Sequence, residues 1–260
     1  MTPPATSRAV AVHPRLRARR IAVQRAAGRR RLRRLVLLGC ATFLVAATWG
    51  AANSPLFDVD RITVSGADHV AAAAVRAASG VDDGTPLVAV DVSASERAIA
   101  RLPWVESADV RRKWPGTMII EITERVAVAV APAAGGGWAV LDAAGRVLEV
   151  AAAEEGKAPE LPVLEGVRPG AAGAVIDDEV GTLRVLARLP DEVGRTVRAV
   201  AADGREVVLR LEGGGEIRFG DAAHIDEKVL ALATVFDKVD LASLARLDVS
   251  IPGSPVLTRR

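Results

Sequence analysis

Hydrophobic and polar residues divide the chain into one long apolar run followed by many short patterned segments. The run covers residues 35–52 and has no charged side chain at any of its eighteen positions. At helical rise, eighteen residues span about 27 Å, close to the thickness of the hydrocarbon core of a bilayer. The pattern therefore predicts a single transmembrane helix, which we place at residues 35–53.

The segment from residue 57 to residue 124 predicts the order strand, helix, helix, strand, strand. Asp68 is the expected cap of the first helix, and Gly80 is its expected C-terminal stop. Residues 93–96 read Ser-Ala-Ser-Glu, the pattern of a capping box, and predict the start of the second helix. Two strands at residues 104–112 and 118–124 complete a small α+β unit with its helices on one face of a sheet.

The remaining residues predict a curved, mainly antiparallel sheet that carries two helices. The helices are expected at residues 177–189 and 224–238, where apolar residues recur at helical spacing. Strands are expected at residues 126–130, 138–141, 146–150, 161–164, 197–201, 206–211, 216–219 and 244–251. The predicted fold class is therefore α+β, with an N-terminal transmembrane helix, a β-α-α-β-β domain and a β-domain.

Charge predicts how the apolar helix is oriented in the membrane. Residues 1–34 contain eleven arginines and no acidic residue. The arginines nearest to the apolar run are Arg29, Arg30, Arg31, Arg33 and Arg34. Because positive flanks stay in the cytoplasm, the N-terminus is expected there and everything after residue 53 is expected outside.

Two other interpretations of the N-terminal region remain open. Residues 50–52 read Gly-Ala-Ala, which is compatible with a signal-peptide cleavage site, although the charged region before the apolar run is unusually long. Basic tails can also bind nucleic acid, but this tail has no interleaved aromatic residues. We favour an uncleaved anchor with a tail held near anionic lipid headgroups.

Outside the tail, composition argues against nucleic-acid binding and against a disulfide framework. Residues 35–260 contain 23 basic and 32 acidic residues, a net charge of −9. A mildly acidic domain repels the phosphate backbone. The single cysteine, Cys40, lies inside the apolar run, so the exported part has no cysteine to pair.

No pattern in the chain predicts an enzyme. The three histidines, His13, His69 and His224, are not at ligand spacing from one another, and no nucleophile elbow or Walker loop occurs. Paired carboxylates lie in turns or at helix starts, where solvated charge is ordinary. Trp104, Trp114 and Trp138 are expected to be packing anchors. We therefore expect no catalytic residues, cofactor, metal or small-molecule substrate.

Several segments resemble a known family, the bacterial cell-division proteins FtsQ/DivIB. Residues 57–66, read as Phe-Asp-Val-Asp-Arg-Ile-Thr-Val-Ser-Gly, resemble the start of its extracytoplasmic part. Leu102–Ala108, Arg112–Thr117 and Ile120–Arg125 together resemble the hairpin that closes its POTRA domain. Asp142 with Gly145, residues 161–166, and residues 247–252 resemble its β-domain. One departure is Val126-Ala127, where the family usually has a proline.

The resemblance implies a scaffold and not an enzyme. It implies a cytoplasmic tail at 1–34, a transmembrane helix at 35–53, a POTRA domain at 54–125 and a β-domain at 126–260. Such proteins link early and late division proteins at the septum, bind the FtsB and FtsL proteins, and influence the FtsW/FtsI cell-wall synthase. A POTRA-bearing envelope transport or assembly component is the alternative, although its usual barrel would need more and longer strands.

In the family, a partner strand adds to an exposed sheet edge near the C-terminus, a binding mode called β-augmentation. Carried over to this chain, the resemblance implies partner-binding residues Arg246, Leu247, Asp248, Val249, Ser250, Ile251, Val256 and Leu257. The alternative is that residues 247–251 form an ordinary internal strand. We expect that Val249→Lys together with Ile251→Lys weakens partner binding while leaving the fold intact.

Overall fold

The computed structural model describes residues 33–50, 57–152, 160–203, 206–236, 238 and 244–260. Helix α1 covers residues 33–50, is apolar and long enough to cross a membrane, and is exposed along its whole length. It begins two residues before the predicted start. The last three residues of the predicted helix, 51–53, lie outside the described residues, as does the arginine-rich segment before residue 33.

The first folded unit has the predicted order of elements. It consists of β1 (Arg61–Ser65), α2 (Ala72–Ser79), α3 (Val92–Ile99), β2 (Val105–Lys113) and β3 (Thr117–Glu124). Strand β3 lies in the centre of the sheet, parallel to β1 and antiparallel to β2. Side chains alternate along β3, and Met118, Ile120 and Ile122 are buried in a core shared with the two helices.

The N-terminal caps of the two helices differ from the sequence prediction, whereas the C-terminal stop of α2 is as predicted. Asp68 does not cap α2, whose N-cap position is Ala71 and has no side-chain cap. Helix α3 is capped by Asp91, whose carboxylate accepts the Ala94 N–H at 3.0 Å. Glu96, expected to complete a capping box, instead accepts the Val110 N–H on strand β2 at 3.1 Å. Gly80 does end α2, in the left-handed conformation with φ 67°.

The second unit is built on one nine-stranded sheet. Its strands are β4 (Ala127–Pro132), β5 (Trp138–Asp142), β6 (Val147–Ala151), β7 (Val163–Leu164), β8 (Val197–Asp203), β9 (Glu206–Leu211), β10 (Glu216–Gly220), β11 (Leu244–Asp248) and β12 (Val256–Arg259). The spatial order is β12-β11-β10-β9-β8-β7-β4-β5-β6. The sheet is mainly antiparallel; the pairs β4–β7, β7–β8 and β10–β11 are parallel.

This unit contains one helix and one strand that the pattern did not predict. The expected helices correspond to α4 (Val180–Arg188) and α6 (Ile225–Phe236), while the four-residue helix α5 (Asp191–Gly194) follows Pro190. Strand β12 follows Pro255, where the prediction had no further element. Short elements such as these carry too few residues to establish a periodicity.

One face of the large sheet is packed and the other is solvated. On β9 the side chains of Val207, Leu209 and Leu211 are buried, whereas Glu206 and Arg210 alternate with them and are exposed. The buried face joins α4 and α6 in a single hydrophobic core. This division is typical of an antiparallel sheet with helices on one side.

Two side chains of the first unit bind the second. Arg125, just after β3, donates from Nη1 to the Asp142 carboxylate at 3.0 Å and from Nε to the Val105 carbonyl at 3.2 Å. Trp104 donates from Nε1 to the Glu149 carboxylate at 3.2 Å. These bonds join the start of β2 and the end of β3 to the neighbouring strands β5 and β6.

Candidate partner-binding edge

Strand β12 forms one end of the large sheet, and no described strand pairs with its outer side. It is antiparallel to β11, with Leu247 opposite Leu257 and Asp248 opposite Val256. An edge strand presents unpaired backbone N–H and C=O groups, which form a template for a further strand. Pro252 and Pro255 lie in the connection between β11 and β12, where they favour a strand end and not a continued strand.

The strand that was predicted to be the edge is β11, and it lies one strand inside the true edge. Arg246, Leu247 and Asp248 belong to β11, which is paired with β10 on one side and with β12 on the other. The expectation that this strand is the exposed edge is wrong, and the alternative of an internal strand describes it. The reason is that four residues after Pro255 fold back onto β11 and cover it.

The residues after β11 fall into three different environments. Val249 is fully buried, and its N–H donates to the Arg218 carbonyl at 2.9 Å. Ser250 donates to the Asp248 carboxylate from its N–H at 2.9 Å and from its hydroxyl at 2.5 Å. Ile251 is 65% exposed in the connection. A lysine at position 249 would place a charge in the core, so we expect this change to disturb the fold and not to preserve it.

On β12 itself one side chain is directed to the core and the other three are exposed. Leu257 packs against the core of the second unit, whereas Val256 is 62% exposed. Thr258 and Arg259 are also exposed, and neither was among the predicted site residues. The sequence signal that could have found them is the β-branched and apolar run Val256-Leu257-Thr258 directly after a proline.

The solvated face next to this edge carries a row of paired charges. Cross-strand register places Arg210, Glu216, Arg246 and Thr258 side by side on β9 to β12. Arg246 is ion-paired with Glu216, and Arg210 with Glu165 at 2.7 Å. These side chains line an open groove of about 730 Å³ that ends at β12. Most of its charges already have partners, so the groove is a poor candidate for a small-molecule site.

A second group of charges stabilises the turn that precedes β12. The hydrogen bond from the Ser250 hydroxyl lowers the pKa of the Asp248 carboxyl group; burial opposes this effect, and the Ser250 N–H and Arg218 support it. Arg218 in turn is ion-paired with Glu206, and that contact raises its pKa. Asp248 is therefore ionised at neutral pH and holds Ser250 at the start of the connection.

The opposite end of the sheet is partly covered. The Val147 N–H on β6 donates to the Ala174 carbonyl at 2.8 Å, and the Gly173 N–H donates to the Val147 carbonyl at the same distance. Glu149, further along β6, is held by Trp104. The end of the sheet formed by β12 is therefore the more open of the two.

Two other groups of predicted residues are placed as follows. Arg33 and Arg34 are the first residues of α1, whereas Arg29, Arg30 and Arg31 lie outside the described residues. Within the described part of the chain, no group of three or more His, Cys, Asp or Glu side chains could hold a metal ion. His69 is paired with Glu124 at 2.7 Å and His224 with Glu227 at 3.5 Å.

Comparison with known proteins matches both folded units. The POTRA domain, FtsQ-type, matches residues 57–125, and the C-terminal domain of cell division protein FtsQ/DivIB matches residues 129–250. Cell division protein FtsQ of Streptomyces coelicolor is 34% identical over 238 residues, covering 86% of this chain and 88% of that protein. Cell division protein FtsQ of Corynebacterium glutamicum is 27% identical over 195 residues, covering 71% and 81%.

Among solved structures, the extracytoplasmic domain of the division protein DivIB from Geobacillus stearothermophilus aligns with 45% of this chain and 99% of that domain. The TM-score is 0.30 and the identity is 19%, a similarity too low to inform the fold.

Proposed function

Because the chain belongs to the FtsQ/DivIB family of cell division proteins, we propose that it is a bitopic membrane scaffold of the division machinery. It links early and late septal proteins and helps to control septal cell-wall synthesis through protein–protein contacts, without catalysis of its own. Helix α1 anchors it in the plasma membrane at the septum, with the N-terminus in the cytoplasm. The proposed domains are a tail (1–34), the anchor (35–53), a POTRA domain (54–125) and a β-domain (126–260).

The open edge at β12 is the observation that carries this proposal. A division partner of the FtsB or FtsL type adds a strand to Val256–Arg259, and through that complex the protein acts on an FtsW/FtsI-type synthase. Main-chain hydrogen bonds provide the affinity, and the side chains beside the edge provide selectivity. Ile251 and Val256 are the exposed apolar side chains next to this edge.

The remaining predicted residues support the edge from within the sheet. Leu247 and Val249 are buried and hold β11 against the core, and Leu257 packs there from β12. Arg246 lies opposite Thr258, on the solvated face that the outward-pointing side chains of an added strand would share. Asp248 and Ser250 hold the connection that brings β12 back along β11.

The test is to place charges beside the edge without disturbing the core. Ile251→Lys combined with Val256→Lys adds two cations at positions that are already exposed, a device by which natural edges block strand addition. We expect about tenfold or more loss of affinity for the soluble segments of FtsB- and FtsL-type partners. Binding is measured by interferometry with the full chain in lipid nanodiscs.

Val126→Lys is the matched control. Val126 is 75% exposed, precedes β4, and lies six strands from β12 in the sheet order, roughly 29 Å away at 4.8 Å per strand. This variant should bind like the unmodified protein. If the double variant keeps both its circular dichroism spectrum and its full affinity, the partner docks elsewhere.

A further inference from the structure

A small apolar patch lies at one end of the POTRA domain. Trp114 is 51% exposed and Val88 is 41% exposed. The half-buried ring of Phe57 meets Trp114 edge to face, with ring centroids 5.7 Å apart. Trp114 is thus incompletely packed, although a tryptophan beside a proline in a hairpin was expected to be a packing anchor.

The fold places this patch where the chain enters the domain. Residues 114–116 form the turn between β2 and β3, and β3 is parallel to β1, with Arg61 opposite Thr117. The Asp60 N–H donates to the Gly116 carbonyl at 2.8 Å, and the Leu87 N–H donates to the Phe57 carbonyl at 2.9 Å. The hairpin turn and the loop with Val88 are therefore both hydrogen-bonded to the residues that lead into β1.

Chain length keeps that end close to helix α1. Only six residues separate Gly50, the last described residue of the helix, from Phe57. Seven steps of at most 3.6 Å allow a separation of about 25 Å, and any bend shortens it. If α1 spans the membrane, Phe57 lies within that distance of the end of the helix, which is close enough for the patch to reach the outer membrane surface.

We propose that the patch formed by Phe57, Val88 and Trp114 rests in the lipid headgroup region on the outer face of the membrane. This inference rests on the proposed function only in requiring α1 to be a membrane anchor. Tryptophan is enriched at the membrane interface because its ring is apolar while its N–H remains solvated.

A positive charge beside the patch can attract lipid phosphate, but it contributes less than the apolar side chains. Lys113 is exposed at the end of β2 and forms no ion pair within the described residues. Arg112 is turned away and donates to the Val90 carbonyl. A cleft near the same end is lined by Asp60, Asp82 and Asp83 together with Arg61 and Arg76, so its charge is mixed. The apolar side chains therefore carry the contact, and Lys113 adds a weaker attraction to phosphate.

The test measures the proximity of two positions on one strand to lipid headgroups. The full chain with Cys40→Ser receives a single cysteine at Lys113 or at Glu106, each labelled with an environment-sensitive dye. Both residues are exposed on β2, and seven residues at 3.3 Å place them roughly 23 Å apart. The nanodiscs contain phosphatidylcholine, phosphatidylglycerol and a lipid with a nitroxide on its headgroup.

We expect the dye at position 113 to lose fluorescence when the nitroxide lipid is present, and the dye at position 106 to keep it. Adding Trp114→Ser to the chain labelled at position 113 should restore most of the lost fluorescence, because the side chain that holds the hairpin at the interface is gone. Equal quenching at both positions, or none at either, overturns the inference. Absence of quenching at position 113 would mean that this end of the domain stays away from the lipid headgroups.

Native Cys40 separates this inference from the proposed anchor. It lies within α1, so a dye at Cys40 should be quenched by a nitroxide placed on the lipid acyl chain. Quenching at Cys40 without quenching at position 113 refutes the lipid contact and leaves the anchor intact. Absence of quenching at Cys40 refutes the anchor and this inference together.

Discussion

Glu124, the last residue of β3, binds a loop that is more than fifty residues away in sequence. One carboxylate oxygen accepts the N–H groups of Asp68, His69 and Val70 at 3.0, 2.9 and 2.9 Å. The other oxygen lies 2.7 Å from His69 Nδ1, and the His69 ring stacks on Trp104 at 4.3 Å. The Glu124 side chain is only 9% exposed. Glu124 therefore stabilises the loop that leads into helix α2, a helix whose N-terminus has no side-chain cap.

The substitution Glu124→Gln keeps the shape of the side chain and removes its charge. A hydrogen bond to a charged acceptor contributes about 1 kcal/mol more than a neutral one, and the loop N–H groups can partly rebind water. Over the contacts of Glu124 we expect a loss of about 2 kcal/mol, which is roughly a thirtyfold increase in local opening. Hydrogen exchange of the amides of residues 68–79, followed by mass spectrometry on the full chain, measures this opening.

The effect should depend on pH in a defined direction. Burial by itself raises the pKa of the Glu124 carboxyl group, but hydrogen bonds from the Val70 N–H and from His69 outweigh it, so the pKa lies below its ordinary value. Glu124 therefore contributes stability above its unfolded-state pKa of about 4.3 and loses it as the pH falls through the lower folded-state pKa. Wild type and Glu124→Gln should exchange alike once the carboxyl group is protonated.

Glu121→Gln is the control for this prediction. Glu121 is on the same strand, and its ion pair with Arg111 is at the surface. Surface pairs contribute little, so exchange at residues 68–79 should not change. Equal exchange of wild type and Glu124→Gln at neutral pH, or a difference that persists when the carboxyl group is protonated, would refute the charge-based explanation.

Two further predictions concern the backbone and the membrane topology. Gly66→Ala should destabilise the POTRA domain by about 2 kcal/mol or more in thermal unfolding, because φ is +75° and the added Cβ would lie 2.1 Å from the Ile122 carbonyl oxygen. Gly80→Ala, with φ +67° and open space around it, should cost only about 1 kcal/mol, and equal costs would contradict the role of the Ile122 contact. Neutralising the arginines at and before the start of α1 should disturb its orientation in a protease-protection assay, and unchanged insertion would contradict the charge argument. The arginines are Arg29, Arg30, Arg31, Arg33 and Arg34.

Element order was predictable because it depends on local periodicity. The strand β3 pattern Met118, Ile120 and Ile122 needs only the alternation of side chains to be recognised. Helix α6 was also predicted from apolar residues at helical spacing, although one of its two buried residues, Lys228, is charged and only Leu232 is apolar. Elements of two to four residues, such as β7, α5 and β12, are too short to show a repeat of apolar and polar positions, so the pattern does not reveal them or does not define their ends.

The N-terminal caps were not predictable because they depend on the three-dimensional neighbourhood, whereas the C-terminal stop at Gly80 was. Asp68 and the Ser93–Glu96 segment both have the composition of a helix start. In the structure, the carboxylate of Glu124 binds the loop before α2, and Glu96 binds Val110 on β2 instead of its own helix. A sequence pattern cannot show which acceptor reaches an N–H group when the acceptor comes from another strand.

The sequence by itself determined the class of this protein: a charged tail, one apolar helix, a small β-α-α-β-β unit and a β-domain, because charge asymmetry and side-chain periodicity are local properties. It also contained the segments by which the family was identified. Only the tertiary structure decided which strand forms the unpaired edge of the large sheet. The sequence pattern predicted a strand that includes residues 246–248 but none at residues 256–259, and the pairing of β11 with β10 and β12 leaves the outer side of β12 without a described partner. Strand order arises from contacts between distant segments, and these contacts leave no periodic signal in either strand.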